Sequence, residues 1–130
     1  MNMTDISASP SDTHAFTLIL SGKGAHAARP HEGLDAIVTG SHIIAALAAQ
    51  CSRGGQRAGV ADMAFQAGNS WNVLPPEAQI SGILYAEDAA HRHALQQQTS
   101  RLITTLAQAF GLQAQLTWQP HQNANLHYTA

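Results

Sequence analysis

The stretch "SGKGAHAARPHEG", residues 21–33, sets two imidazoles, His26 and His31, among glycines and alanines. Imidazole can ligate a metal, move a proton or donate a hydrogen bond to developing negative charge. His26 and His31 stand five positions apart across Pro30, a poor pair for one metal, and no H-x-D, H-E-x-x-H or paired-cysteine pattern accompanies them. "GKGAH" lacks the G-x-x-x-x-G-K-[ST] spacing of a phosphate loop. His26 is flanked by Gly22, Gly24, Ala25, Ala27 and Ala28, so backbone and ring can approach another surface closely. A metal-free role as an oxyanion donor fits those flanks. An ordinary polar loop histidine fits them too, and composition alone leaves both readings open.

Other reactive side chains are less promising. Glu87, Asp88, His91 and His93 cluster where a helix should begin, but only Glu87 and His91, at i and i+4, would share a face. A solvated helix start accounts for them. Cys51, the only cysteine, falls near a helix end with no evident base, and no G-x-S-x-G elbow occurs. "RGGQR" is one short loop.

The elements that must position His26 follow from periodicity. "HAFTLILSG" alternates Phe16, Leu18 and Leu20 with Thr17, Ile19 and Ser21, which predicts a largely buried strand. A helix is expected from about Gly33 to Cys51, with Leu34, Ile37, Val38, Ser41, Ile44, Ala45 and Ala48 on one small-residue apolar face. "GVADMAFQAG" reads as a second strand, with Met63 and Phe65 on one face, and "NSWNVLPPEA" as a turn. "QISGILYAE" is the third strand. Asp88 should cap a helix from Ala89 to Phe110, ended by Gly111, with Leu95, Thr99, Leu102, Ile103, Leu106 and Phe110 as its buried stripe. "LQAQLTWQ" closes the series, with Leu112, Ala114, Leu116 and Trp118 on one side.

The order β-α-β-β-α-β predicts an α+β, ferredoxin-like fold. Right-handed crossovers give a four-stranded antiparallel sheet in the order 4-1-3-2, with two helices on one face. The expected division is a flexible leader over 1–13, one domain over 14–120 and a polar tail over 121–130. The topology should bring the loop bearing His26 and the turn bearing Asn72 to one end of the sheet, with Tyr85 at the other. The first strand's start and the last strand's end should lie side by side, so the domain can be inserted into another chain.

Bulk composition narrows the function classes. The chain has 130 residues, 45% of them hydrophobic, 5% aromatic and 11% charged. That charge content is low against the roughly 25% usual for globular domains, which predicts a partly covered surface, in an oligomer or against a further domain. Six Lys and Arg against eight Asp and Glu give no basic footprint for nucleic acid. An RNA-binding sheet would also need exposed aromatics that the sequence does not offer. No apolar run reaches membrane-span length, and "MNMTDISASPSDT" lacks the basic and apolar regions of a signal peptide. One cysteine and no signal point to a cytoplasmic protein that binds neither nucleic acid nor membrane.

"GKGAHAARPHEGLDAIV", followed some 35 residues on by "WNVLPPEAQISGIL", resembles the lid or dimerisation domain of the aminoacylase/carboxypeptidase G metallopeptidases, family M20, and most of all its amidohydrolase branch. There the first motif typically reads G-K-G-G-H-A-A-x-P-H-x-G-x-D-P-I, and the second G-G-x-x-x-N-V-I-P-x-x-x-x-x-G-x-x-R. The resemblance covers about residues 14–120. It implies that His26 reaches from one subunit into its partner's active site to steady a tetrahedral oxyanion, and that Asn72 helps hold substrate there. His31, Gly33 and Asp35 match as loop and helix-entry residues. The arginine that grips a substrate carboxylate corresponds to Tyr85, and a phenol cannot make the bidentate charged contact of a guanidinium.

The resemblance further implies a homodimer through the second strand's edge and the first helix, and a separate zinc- or other divalent-metal-binding catalytic domain in a full-length enzyme. That domain's metal ligands are not in this sequence, so no cofactor is expected in this chain and catalysis by it alone is not expected. A stand-alone association module is the alternative.

Overall fold

A computed structural model of the chain describes residues 12–22, 30–54, 58–67 and 77–121, with the side chains of the first helix described over 35–50. Six elements run in the order β1 (Asp12–Ser21), α1 (Pro30–Gly54), β2 (Ala58–Ala67), β3 (Glu77–Ala86), α2 (Ala89–Ala109) and β4 (Gln113–Pro120). The strands form one antiparallel sheet in the order β2-β3-β1-β4, the expected topology. β1 begins at Asp12, two residues before the expected start, because Asp12 and Thr13 still pair with Ala86 and Tyr85. α1 opens at Pro30 rather than near Gly33, since proline's fixed φ suits a first helical turn whose N–H groups need no partner.

Phe16, Leu18 and Leu20 of β1 and Ala78, Ile80 and Leu84 of β3 are buried on the helix-covered face of the sheet. Ala36, Ile43 and Leu47 of α1 and Ile103 and Ala107 of α2 close over them. α2 keeps most of its expected stripe, with Thr99 and Ile103 buried and Leu102 and Leu106 packed against the core; Phe110 instead caps the helix and is 37% exposed. His91 donates its backbone N–H to Asp88 Oδ1 at 2.8 Å, closing the N-cap. That bond, and then the bond to the His91 side chain, hold the Asp88 carboxyl below its ordinary range.

In α1 the face that meets the core differs from most of the small-residue stripe read in the sequence. Its buried residues are Ala36, Thr39, Gly40, Ile43 and Leu47, while Ile37 and Val38 are 39% and 38% exposed and Ser41, Ala45 and Ala48 also face outward. The helix carries small apolar residues on both sides, so a 3.6-residue period fits two faces and the sequence leaves open which of them meets the core. Of that stripe Ile44 packs against the core, while Ile37, Val38, Ser41, Ala45 and Ala48 lie outward.

A β-bulge shifts the alternation of β2. Ala61 pairs with Ile83 and Ala64 with Ser81, so Asp62 and Met63 together face Gly82. Asp62 adopts φ 53°, a left-handed conformation that Asp tolerates better than most residues. The extra residue lets Val60 and then Met63 and Phe65 pack on the same core despite their odd separation. Gly82 is small for a stated reason: a Cβ there would lie 2.9 Å from the Phe16 ring and 3.2 Å from Met63 Cγ. Phe16 is only 2% exposed and has little room to yield. Gly82→Ala is therefore expected to cost about 1–3 kcal/mol, read as a lower thermal midpoint. The added substitution Phe16→Leu should recover part of the loss; a midpoint unchanged by Gly82→Ala would show that the packing at the bulge is loose.

Candidate functional site

The register fixes where the two motif loops are rooted. Ser21, at the end of β1, pairs with Glu77, at the start of β3. The connection from β1 to α1 and the connection from β2 to β3 therefore leave the sheet from adjacent strands at one end. His26 and Asn72 themselves, within those connections, lie outside the described residues, as does the side chain of His31. Gly22, the last described residue before the first connection, is buried.

Tyr85 is at the opposite end. It sits between Thr13 of β1 and Gly59 of β2 and is half-buried. Eight residue steps separate Glu77 from Tyr85 along β3, roughly 27 Å at the antiparallel rise. Within one copy of the chain, Tyr85 and the two loop roots do not form a common pocket.

The same end carries a polar cluster that sequence reasoning missed. Arg92 donates from Nε to Asp12 Oδ1 at 3.0 Å and from Nη1 to Gln96 at 2.9 Å. His14 Nδ1 lies 3.4 Å from the same Asp12 oxygen. The partners Asp12 and Arg92 are 80 residues apart in sequence, so no local pattern announces them. The carboxylate that a cation would need is already held by the guanidinium. Among the described residues no group of three or more His, Cys, Asp or Glu side chains converges as a metal site. The described residues do not fit a resident metal.

At the start of α2, His91 Nδ1 meets Asp88 Oδ1 at 2.8 Å, both side chains being more than half exposed. This is a solvated cap, as the composition suggested. Among the described residues no helix is long and apolar enough to cross a membrane.

Comparison with known proteins agrees with the topology. Residues 13–110 match the family model described as the peptidase dimerisation domain of M20. The chain is 33% identical over 109 residues to the N-acetylcysteine deacetylase of Bacillus subtilis, covering 82% of this chain and 29% of that protein. It is 31% identical over 99 residues to the N-acyl-L-amino acid amidohydrolase of Geobacillus stearothermophilus, covering 74% of this chain and 27% of that protein. Among solved structures, the Bacillus subtilis YXEP protein, a dinuclear metal binding peptidase of the M20 family, superposes with a TM-score of 0.62 at 28% identity. That match covers 84% of this chain and 26% of the other. The chain thus spans less than a third of the length of these relatives. With the fold, the strand order and the match over 13–110 in agreement, the chain belongs to the M20 peptidase family as its dimerisation, or lid, domain.

Proposed function

We propose that this domain serves a longer metal-dependent amide hydrolase acting on N-acyl amino acids or similar amides, and that its own contribution to chemistry is His26. An amide carbonyl attacked by water becomes a tetrahedral oxyanion. An imidazole N–H fixed beside that oxygen binds the transition state more tightly than the ground state, which is the condition for acceleration. His26 acts in trans, from one subunit into the active site of its partner, with Asn72 binding substrate beside it. Zinc or another divalent cation belongs to the catalytic domain of the longer protein, in the cytoplasm. The observation that carries the reading is the pairing of Ser21 with Glu77, which roots both motif connections at one end of the sheet. The relatives' names, a deacetylase and an amidohydrolase, support the reaction class.

Tyr85, roughly 27 Å along β3 from that end, fits a division of labour. One active site takes its phenol from the lid of the same subunit and His26 from the other lid. A neutral phenol in place of the family arginine relaxes selection for a free carboxylate on the substrate. The test is a chimera in which residues 13–120 replace the matching segment of the Bacillus subtilis deacetylase. Turnover of N-acetylcysteine by that chimera is the expected result, and a folded, dimeric chimera without turnover contradicts the reading.

Association is proposed through the β2 edge and the outward face of α1. β2 is an outer strand of the sheet, and Ile37, Ser41 and Ala48 lie exposed on α1, with Ile44 half-buried beside them. Small residues on that face allow two helices to approach closely. The bulge at Asp62 confines edge pairing to the stretches on either side of it. Sedimentation of the chain is expected to show a dimer that Ile37→Glu weakens at least about tenfold, since a charge on the contact face must be desolvated. Ile37 is 39% exposed, so the variant should keep its fold. A monomeric parent chain at high concentration would remove this interface.

A further inference from the structure

A groove runs between α2 and β4, at the sheet edge away from β2. β4 is the other outer strand, and the shallow, largely open depression beside it, of about 410 Å³, is lined by His93, Gln96, Gln97, Ser100, Arg101 and Trp118. His93, Gln97 and Arg101 follow one another at four-residue intervals, so they form a row along α2. Trp118 faces them from β4, half-buried, its ring tilted at 55° against Phe16 with centroids 5.6 Å apart. The ring is thereby held from behind by the core, while part of it stays accessible.

Among the described lining residues the one permanent charge is the cation of Arg101. Arg101 only donates, Ser100, the carboxamides and the imidazole of His93 can donate as well as accept, and among the described residues no carboxylate lines the groove. Among the described residues Arg101 has no ion-pair partner, whereas Arg92, one element of the neighbouring network, is already engaged by Asp12 and Gln96. A guanidinium free to take a planar anion, opposite an indole braced by a buried phenyl ring, recognises two features at once. We propose that this groove binds a small molecule made of a flat unsaturated ring bearing an anionic group, the anion on Arg101 and the ring against Trp118. The groove is shallow and largely open to solvent, so affinity should be modest.

The whole 130-residue chain can be titrated with 1-naphthoate while the indole N–H signals are followed by NMR, with Trp71→Phe assigning the Trp118 resonance. The expected result is a saturable shift of the Trp118 signal with a Kd on the order of 1 mM or lower. Arg101→Gln, at an exposed position, should raise Kd by at least about tenfold with the fold intact by circular dichroism. The uncharged analogue 1-naphthylmethanol and inorganic phosphate alone should each bind at least about tenfold more weakly, because each offers one of the two features. No saturation, equal binding of the alcohol, equal binding of phosphate, or an Arg101→Gln variant that binds as the parent does would each overturn the proposal.

Discussion

His26→Ala is expected to lower kcat by about 10²–10³-fold in the deacetylase chimera, with the dimer preserved. The reason is differential. The imidazole meets little charge on a resting amide carbonyl and a full negative charge on the tetrahedral oxyanion, so its removal should fall on kcat and leave KM nearly unchanged. His26→Gln keeps a neutral donor of shorter, differently aimed reach and should recover only part of the loss. Steady-state kinetics and sedimentation on the same samples separate the catalytic effect from lost association. Parent-like kcat in a dimeric His26→Ala chimera would remove the role.

The second large effect concerns the fold that carries the loop. Phe16→Ala should destabilise the domain by about 3–5 kcal/mol, as deletion of a fully buried aromatic does. Phe16 is 2% exposed, backs the Trp118 ring and fills the space over Gly82. Three strands therefore lose contacts at once: β1, β3 and β4. A loss of that size is a large fraction of the roughly 5–15 kcal/mol that holds a typical domain together. Denaturant unfolding gives the value directly, and a change below about 1 kcal/mol would mean that the core repacks around the cavity.

The two halves of the molecule differ in how well the sequence reveals them. The strands β1 and β4 have one apolar face each, Phe16–Leu18–Leu20 and Leu112–Ala114–Leu116–Trp118, and their alternation fixes both identity and orientation. Chain order then determines the sheet, because few topologies satisfy right-handed crossovers with six short elements. α1 does not reveal its orientation, since Ile43 and Leu47 on the core side are matched by Ile37 and Val38 on the other. An exposed apolar face looks, in sequence, like a second core face. The bulge in β2 is hidden for a different reason: Asp62 is an ordinary strand interruption in sequence, and only its pairing opposite Gly82 shows the inserted residue.

The candidate site is legible only as motif. Gly22, Gly24 and the alanines around His26 make close approach sterically easy, but ease of approach names no reaction. The reaction comes from resemblance and from the relatives, while the fold adds the common root of the two connections at Ser21 and Glu77. The ion pair between Asp12 and Arg92 and the groove beside Trp118 were invisible, because each joins residues from elements far apart in the chain.

Subunit mixing tests the central claim most directly. His26→Ala chimeras, inactive for want of the imidazole, are combined with chimeras inactivated in the catalytic domain but retaining His26. If the imidazole serves the neighbouring subunit, random exchange should restore roughly a quarter of parent activity, since half the dimers are mixed and each has one complete site. Activity that stays at the level of the separate variants after exchange, with mixed dimers present, would contradict a histidine acting across the interface.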